Sequence, residues 1–260
     1  MKFKINNIVF IRKVYTFFIG IGINLKKIIN LVNIFRFIKD VILFKKKGGE
    51  INGIYPFLEN YESISNEHKH QFFHADLLIA KKIFNNNPTS HLDIGSRVDG
   101  LVAHIASFRK LDFVDLRLVD LTPHDSINFM RKNIMDMDNS KIDKKYDSIS
   151  SVGVISHVGL GRYGDNIDPE GHVKAINSIV NLASESGLIY IMVPVGRKKI
   201  EFNAHRVFDP KDIIELFNNC GCEYLEFSLV DDQGNLKINC ELETSKNLDF
   251  GGGIFVFKKL

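Results

Sequence analysis

A chain of 260 residues with a quarter of them charged, 11% aromatic and no tryptophan has the composition of one main globular domain, which sets aside disordered, low-complexity and fibrous classes. Its cysteines, Cys220, Cys222 and Cys240, are odd in number and lack metal-site spacing, so neither a disulfide framework nor a structural zinc site is expected and a reducing, cytoplasmic setting follows. The formal charge of +3 is small in sum but uneven along the chain.

Between Met1 and Lys47 the basic residues Lys2, Lys4, Arg12, Lys13, Lys26, Lys27, Arg36, Lys39 and Lys45 to Lys47 are opposed by Asp40 alone, a balance that suits an anionic surface. The longest uncharged run, Val14 to Leu25, is well short of the roughly twenty residues that a membrane-spanning helix needs. A secretory signal is also unexpected, because Lys26 and Lys27 follow the run with no small-residue cleavage site between. Ile28, Leu31, Phe35, Ile38 and Ile42 recur at helical spacing and predict an amphipathic helix, one that either lies peripherally on a membrane or covers the rest of the protein. No nucleic-acid reading motif accompanies the basic cluster. Residues 1–47 therefore read as a basic helical segment, and Gly48, Gly49 and Gly53 mark the passage to a second domain, 48–260.

That second domain alternates helix and strand. His68 to Phe84 reads as a helix stopped by Asn85 to Pro88, Ser90 to Ile94 as a short strand, Leu101 to Phe108 as a helix, and Leu111 to Leu116 and Ile127 to Met130 as strands. Asp147 to Val154 reads as a buried strand, His172 to Ala183 as a helix, and Gly187 to Val193 as a β-branched strand ended by Pro194. Pro210 to Asn218 is the last expected helix, and Glu223 to Val230 and Gly253 to Lys258 the last strands. Such alternation implies an α/β fold, a mostly parallel sheet between helical layers, with ligands at the carboxyl ends of its strands.

His91-Leu92-Asp93-Ile94-Gly95-Ser96 places an acid and a glycine where the first strand turns toward its helix. Glycine there lets backbone approach a nucleotide-like ligand. The second strand ends in Phe113-Val114-Asp115, and an acid at that point accepts hydrogen bonds from ribose hydroxyls. The pair resembles the class I S-adenosylmethionine-dependent methyltransferases. The resemblance implies a Rossmann-like three-layer sandwich whose seven-stranded, mostly parallel sheet has an antiparallel last strand, and S-adenosylmethionine as cofactor. It gives Asp93, Gly95 and Ser96 the methionine portion and Asp115 the ribose, with Asn133 and Ile134 of Asn133-Ile134-Met135-Asp136 near adenine. The turn Gly95-Ser96-Arg97-Val98-Asp99-Gly100 lacks the second glycine of typical members, and by itself also fits an ordinary tight turn.

The most distinctive stretch runs from Ser150 through His157-Val158-Gly159-Leu160-Gly161-Arg162-Tyr163-Gly164-Asp165 to Asp168-Pro169-Glu170-Gly171. Together with Val193-Pro194-Val195-Gly196 and Phe202-Asn203-Ala204-His205-Arg206, it resembles the family known as domain of unknown function 268, over about Phe73 to Phe257. Membership of that family implies a methyltransferase-like protein of surface-polysaccharide biosynthesis, with a saccharide or sugar-linked precursor as acceptor. His157, Asp165 and Asp168 are the candidates for catalysis, His157 taking a hydroxyl proton. Arg162, Tyr163, His205 and Arg206 are the candidates for holding the acceptor, the guanidinium forks suiting a phosphate or uronate.

Each residue also has a plainer role open to it. His157 can cap its strand end, Asp165 and Asp168 can form turns, and the arginines can make surface salt bridges. His157, Asp165, Asp168, His172 and His205 offer donors for a divalent ion, but spacing does not close such a site and no metal is expected. Gly159 to Gly164 formally matches a dinucleotide fingerprint, yet no helix starts where one is required, which argues against a nicotinamide-dependent oxidoreductase. A non-catalytic binding module that docks a membrane or a partner is the alternative to an enzyme.

Overall fold

A computed structural model describes residues 14–15, 17–23, 30–58, 70–121, 124–139 and 144–260. Residue contacts divide the chain into two units, Met1–Ser65 and Asn66–Leu260.

In the first unit a 3-10 turn at Asn30–Asn33 leads into helix α1, Ile34–Lys46, with Lys45 and Lys46 in its last turn, where positive charge complements the negative end of the helix dipole. Phe37, Val41 and Phe44 of α1 line a hollow with Ile51, Tyr55 and Phe57, and the side-chain amide of Asn33 donates to the Leu58 carbonyl at 2.7 Å. The expected apolar row falls on another face. Leu31, Phe35, Ile38 and Ile42 are 57, 78, 49 and 49% exposed, while Ile28 lies outside the described residues. No described helix is long and apolar enough to cross a membrane.

The second unit begins its described course with helix α2, Gln71–Asn86. The His70 ring caps it by accepting from the Phe72 amide, and Asn87 ends it at φ +41°, a left-handed conformation that Asn tolerates well. His68, where the expected helix began, lies outside the described residues. Ala75, Ile79 and Ile83 share the buried face because they recur every fourth residue. Strand β1, His91–Ile94, pairs in parallel with β2, Leu111–Asp115, on one side and with β4, Tyr146–Val152, on the other. Strand β3, Ile127–Arg131, extends the sheet beyond β2, and β5, Ala183–Val195, beyond β4.

Between β1 and β2 a turn at Val98–Val102, kinked at Gly100, runs into the short helix α3, Ala103–Ala106. Helix α4, Gly171–Leu182, precedes β5. A small hairpin follows β5, with β6, Lys199–Glu201, antiparallel to β7, His205–Val207. Then come α5, Pro210–Asn219, β8, Cys222–Val230, the two-residue β9, Leu236–Lys237, and β10, Gly251–Lys259.

The full sheet order is β3-β2-β1-β4-β5-β10-β8-β9, with β10 inserted antiparallel between β5 and β8. This is the expected Rossmann-like sandwich. Its seven main strands carry the antiparallel last strand, and β9 adds an eighth at one edge. Alternation along β5 supplies both cores. Ile189, Ile191 and Val193 face the cluster that includes Ile176 and Ile179 of α4 and Phe217 of α5. Tyr190 and Met192 face the cluster that includes Ile79 and Ile83 of α2 and Leu101 and Ile105 beside it.

Pro194 does not end β5, which continues to Val195. Strand β4 stops opposite Met192, and the Pro194 carbonyl accepts from the Phe208 amide at 3.0 Å. Pro194 thus turns its hydrogen-bonding edge away from β10, where a missing N–H breaks no ladder bond.

Candidate functional site

The carboxyl ends of β1, β2, β3 and β4 meet at a cavity of about 430 Å³, within the roughly 300–1,000 Å³ usual for small-molecule sites. Each strand sends a different chemistry to it.

At the end of β1, Gly95 adopts φ +68° and donates its amide to the Val114 carbonyl at 2.7 Å. A Cβ there would stand 3.0 Å from the Val154 side chain, so the left-handed turn and the close approach both favour glycine. Gly95 lines the cavity, but Asp93 and Ser96, each fully buried, do not. The Asp93 carboxylate accepts from the Ser96 amide at 3.0 Å, the Ser96 hydroxyl at 2.7 Å and the Ser150 hydroxyl at 2.5 Å. Ser96 in turn accepts from the Val152 amide. Behind Ser150 the His91 ring lies 3.1 Å from that hydroxyl and 2.8 Å from Ser148. Burial pushes Asp93 up to about 7 against the pull of its Ser150 and Ser96 hydrogen bonds, and pushes His91 down to about 3 with help from the Arg109 charge. Asp93 and Ser96 thus tie β1 to β4 under the cavity wall.

At the end of β2, Asp115 lines the cavity. Its Oδ1 accepts from the Arg117 amide at 2.8 Å and Nε at 3.0 Å, and its Oδ2 from the guanidinium NH2 at 2.6 Å. The Arg117 guanidinium also lies 4.8 Å from the centre of the Tyr163 ring. After β3, Asn133 and Ile134 line the same cavity, Asn133 holding the Met135 amide on its oxygen and Asp136 on its nitrogen.

Beyond β4 the chain turns at Gly153, φ +76°, where a Cβ would meet the Phe72 ring at 2.5 Å. His157 then reaches the cavity with its ring 4.9 Å from that of Tyr163. Burial first and the Arg162 charge second hold His157 down at about 4, so it is neutral near pH 7 and able to take a proton. Asp165 lines the cavity too, but its oxygens accept from the Gly159 amide at 2.6 Å and the Tyr163 amide at 3.3 Å, which shapes the loop. Asp168 does not reach the cavity. It accepts from the Glu170 amide and from Lys174 at 2.6 Å, at the entry of α4, and these contacts lower its pKa, Lys174 most of all.

The β6–β7 hairpin braces this loop. Arg206 is 3% exposed and off the cavity wall. Its guanidinium donates to the carbonyl of Val158 at 2.6 Å, with longer bonds to those of Ser156, Asp168 and Pro169. Asn203, at φ +65°, donates to the Leu160 carbonyl. His205 does line the cavity, its ring 4.5 Å from Phe250 and 3.5 Å from Glu201. Arg162 lines it as well, donating to the Ala204 carbonyl at 3.0 Å and lying 5.2 Å from the Tyr163 ring.

Of the candidate residues, the structure brings Gly95, Asp115, Asn133, Ile134, His157, Arg162, Tyr163, Asp165 and His205 to one cavity, and leaves Asp93, Ser96, Asp168 and Arg206 behind its walls. Arg97, Arg117 and Lys132 also line it and were not singled out from the sequence. An arginine two residues after a strand-end acid was the available signal for Arg117. Among the described residues, no three His, Cys, Asp or Glu side chains converge for a metal ion.

The profile of a family described as "Caenorhabditis protein of unknown function, DUF268" matches residues 115–260. No curated protein matches the sequence. Among solved structures, the N-methyltransferase NodS from Bradyrhizobium japonicum WM9, in complex with S-adenosyl-L-homocysteine, is 11% identical at a TM-score of 0.51, covering 76% of this chain and 91% of its own. The [4+2]-cyclase SpnF is 12% identical at a TM-score of 0.54, covering 85% and 92%. The shared architecture is that of the class I methyltransferases. A cyclase beside a methyltransferase shows that one architecture serves more than one chemistry.

Proposed function

The chain belongs to the DUF268 family and has the class I methyltransferase fold, and from that premise we propose that it is an S-adenosylmethionine-dependent methyltransferase. Its acceptor in this reading is an oxygen of a saccharide or sugar-linked precursor, in surface-polysaccharide biosynthesis. The observation that carries the reading is the meeting of Gly95, Asp115, Asn133 and Ile134 with His157 and Tyr163 on a single cavity.

The residues fit the cofactor. Gly95 keeps the backbone bare where a Cβ would crowd Val154, Asp115 presents to the ribose a carboxylate that Arg117 now holds, and the Asn133 amide can pair with adenine. When bound, the cofactor supplies a methyl group activated on a sulfonium. The protein's part is to orient the acceptor and remove its proton. Neutral His157 takes the proton that the acceptor hydroxyl gives up, and the Tyr163 ring packs against it. Calorimetric titration with S-adenosylmethionine is expected to show micromolar-range binding that Asp115→Ala abolishes. No binding to the intact protein would overturn the proposal.

One observation favours a second reading, a non-catalytic module. Arg117 occupies both oxygens of Asp115, and Asp93 is spent on serines. Bound cofactor with no methylated product across nucleotide-sugar, lipid-linked and polymer acceptors would decide for it.

In either reading the exposed row Leu31, Phe35, Ile38 and Ile42, flanked by Lys39 and Lys45 to Lys47, suits peripheral contact with an anionic membrane at its cytoplasmic face. Phe35→Ser with Ile38→Ser is expected to release the full-length protein from anionic vesicles in a sedimentation assay. Unchanged sedimentation would count against this contact.

A further inference from the structure

Resting on the cofactor assignment above, we propose that the acceptor carries an anionic group, a phosphate or a carboxylate, held by Arg162 and Arg117 beside Tyr163, and that cofactor binding completes this subsite by freeing Arg117 from Asp115.

Charge at this end of the cavity is the first argument. Two guanidinium groups flank a single ring, Arg117 at 4.8 Å and Arg162 at 5.2 Å from the Tyr163 centre. One Arg162 nitrogen donates to the Ala204 carbonyl, and among the described residues no carboxylate is ion-paired with it. Asp165, the acid of the same loop, is turned to the backbone amides of Gly159 and Tyr163. Both cations thus stand at one ring on the cavity wall, and the planar fork of arginine matches the oxygens of phosphate and carboxylate.

Arg117 is the second argument, because its present partner is the acid assigned to the ribose. Its Nε and NH2 cover the two oxygens of Asp115, the atoms that two ribose hydroxyls require. Both cannot be served at once. The Arg117 side chain is 48% exposed while Asp115 is 5% exposed, so the exposed partner yields and the buried acid stays. The backbone amide of Arg117 remains to hold Oδ1, which keeps Asp115 in place while the guanidinium turns to the ring it already touches. Cofactor and anion are then coupled through one arginine, and the coupling is reciprocal.

The test is calorimetry on the full chain at fixed ionic strength, with glucose 1-phosphate, glucuronate and glucose each titrated into protein alone and into protein saturated with S-adenosylhomocysteine. At least one charged sugar is expected to bind about tenfold more tightly to the saturated protein, within the range typical of coupled sites, and glucose not at all. Which of the two binds identifies the anion as phosphate or carboxylate. Arg162→Gln abolishes the charged-sugar binding with and without S-adenosylhomocysteine. Arg117→Gln leaves S-adenosylhomocysteine binding as tight or tighter but removes the enhancement.

Equal binding of glucose and the charged sugars, no enhancement by S-adenosylhomocysteine, or weaker S-adenosylhomocysteine binding in Arg117→Gln each overturns the proposal while leaving the cofactor assignment standing. Failure of S-adenosylhomocysteine to bind the intact protein overturns both.

Discussion

Asp93, one residue from the end of β1, and Asp115, at the end of the neighbouring parallel β2, face opposite worlds. Asp93 is buried and bound to Ser96 and Ser150, whereas Asp115 opens on the cavity and holds an arginine. The difference comes from their neighbours. Strand β4 sets hydroxyls at Ser148 and Ser150 beside β1, so the Asp93 carboxylate finds donors in the sheet. Asp115 has β3 on its other side, and its donor comes from its own turn. In the proposed reading, the acid that takes no donor from the adjoining strand is the one that serves a ligand. The loop after β4 shows the same division, with His157 and Tyr163 on the cavity and Asp168 off it, while Arg206 of β7 braces the loop from the hairpin.

The sharpest way to break this division is at Arg206. Its replacement by Met leaves the carbonyls of Val158 and Pro169 without their donors, and a loss of roughly 3 kcal/mol is expected for buried groups that lose charged hydrogen-bond partners. Chemical denaturation would show it, together with weakened charged-sugar binding, although Arg206 touches no ligand. A variant as stable as the parent would mean that the hairpin does not brace the loop.

A smaller effect is expected under β1. Asp93 is raised to about 7 when folded, so the folded chain holds that proton more tightly than the unfolded one, and its contribution to stability declines as pH rises from about 4 to about 7. His91, lowered to about 3, has the opposite sign, its contribution declining as pH falls from about 6.5 to about 3. Between about 4 and 6.5 the two offset each other. Asp93→Asn removes one arm. The stability of this variant relative to the parent should climb with pH across the Asp93 window by up to about 1.4 kcal/mol per unit, as read by urea denaturation at stepped pH. A difference that stays flat would place the titration elsewhere.

The smallest effect is expected at Asp168. Asp168→Asn removes the Lys174 ion pair on an exposed surface and should lower the melting temperature only slightly, with S-adenosylhomocysteine and charged-sugar binding unchanged. Loss of binding would move Asp168 from brace to ligand.

The architecture was largely legible in the sequence because buried parallel strands are short, apolar and bounded by turn residues, as at Ser90 to Ile94 and Gly187 to Val193. Gly95 and Asp115 were legible for the same reason, since both stand where a strand must end. The inward turn of Asp93 was not, because it depends on Ser150, 57 residues away. Strands β6 and β7, three residues each, are too short to show periodicity, and their turn uses Asn203 in a left-handed conformation in place of the Asn-Gly pair that signals a hairpin. Arg206 reads in sequence as an acceptor-binding arginine or a surface salt bridge, and only the carbonyls of Ser156, Val158, Asp168 and Pro169 gathered around it show it to be a buried brace.

That brace also has a kinetic meaning. The Arg206 amide donates to Ser156 and its side chain to Val158 and Pro169, while the Asp168 amide is held by Gly159 and the Gly159 amide by Asp165. The Arg206 bonds join segments about forty to fifty residues apart in sequence, and the shorter-range bonds tie the loop to itself. The loop and the hairpin are therefore expected to open as one cooperative unit, with hydrogen exchange of their amides reporting one shared free energy.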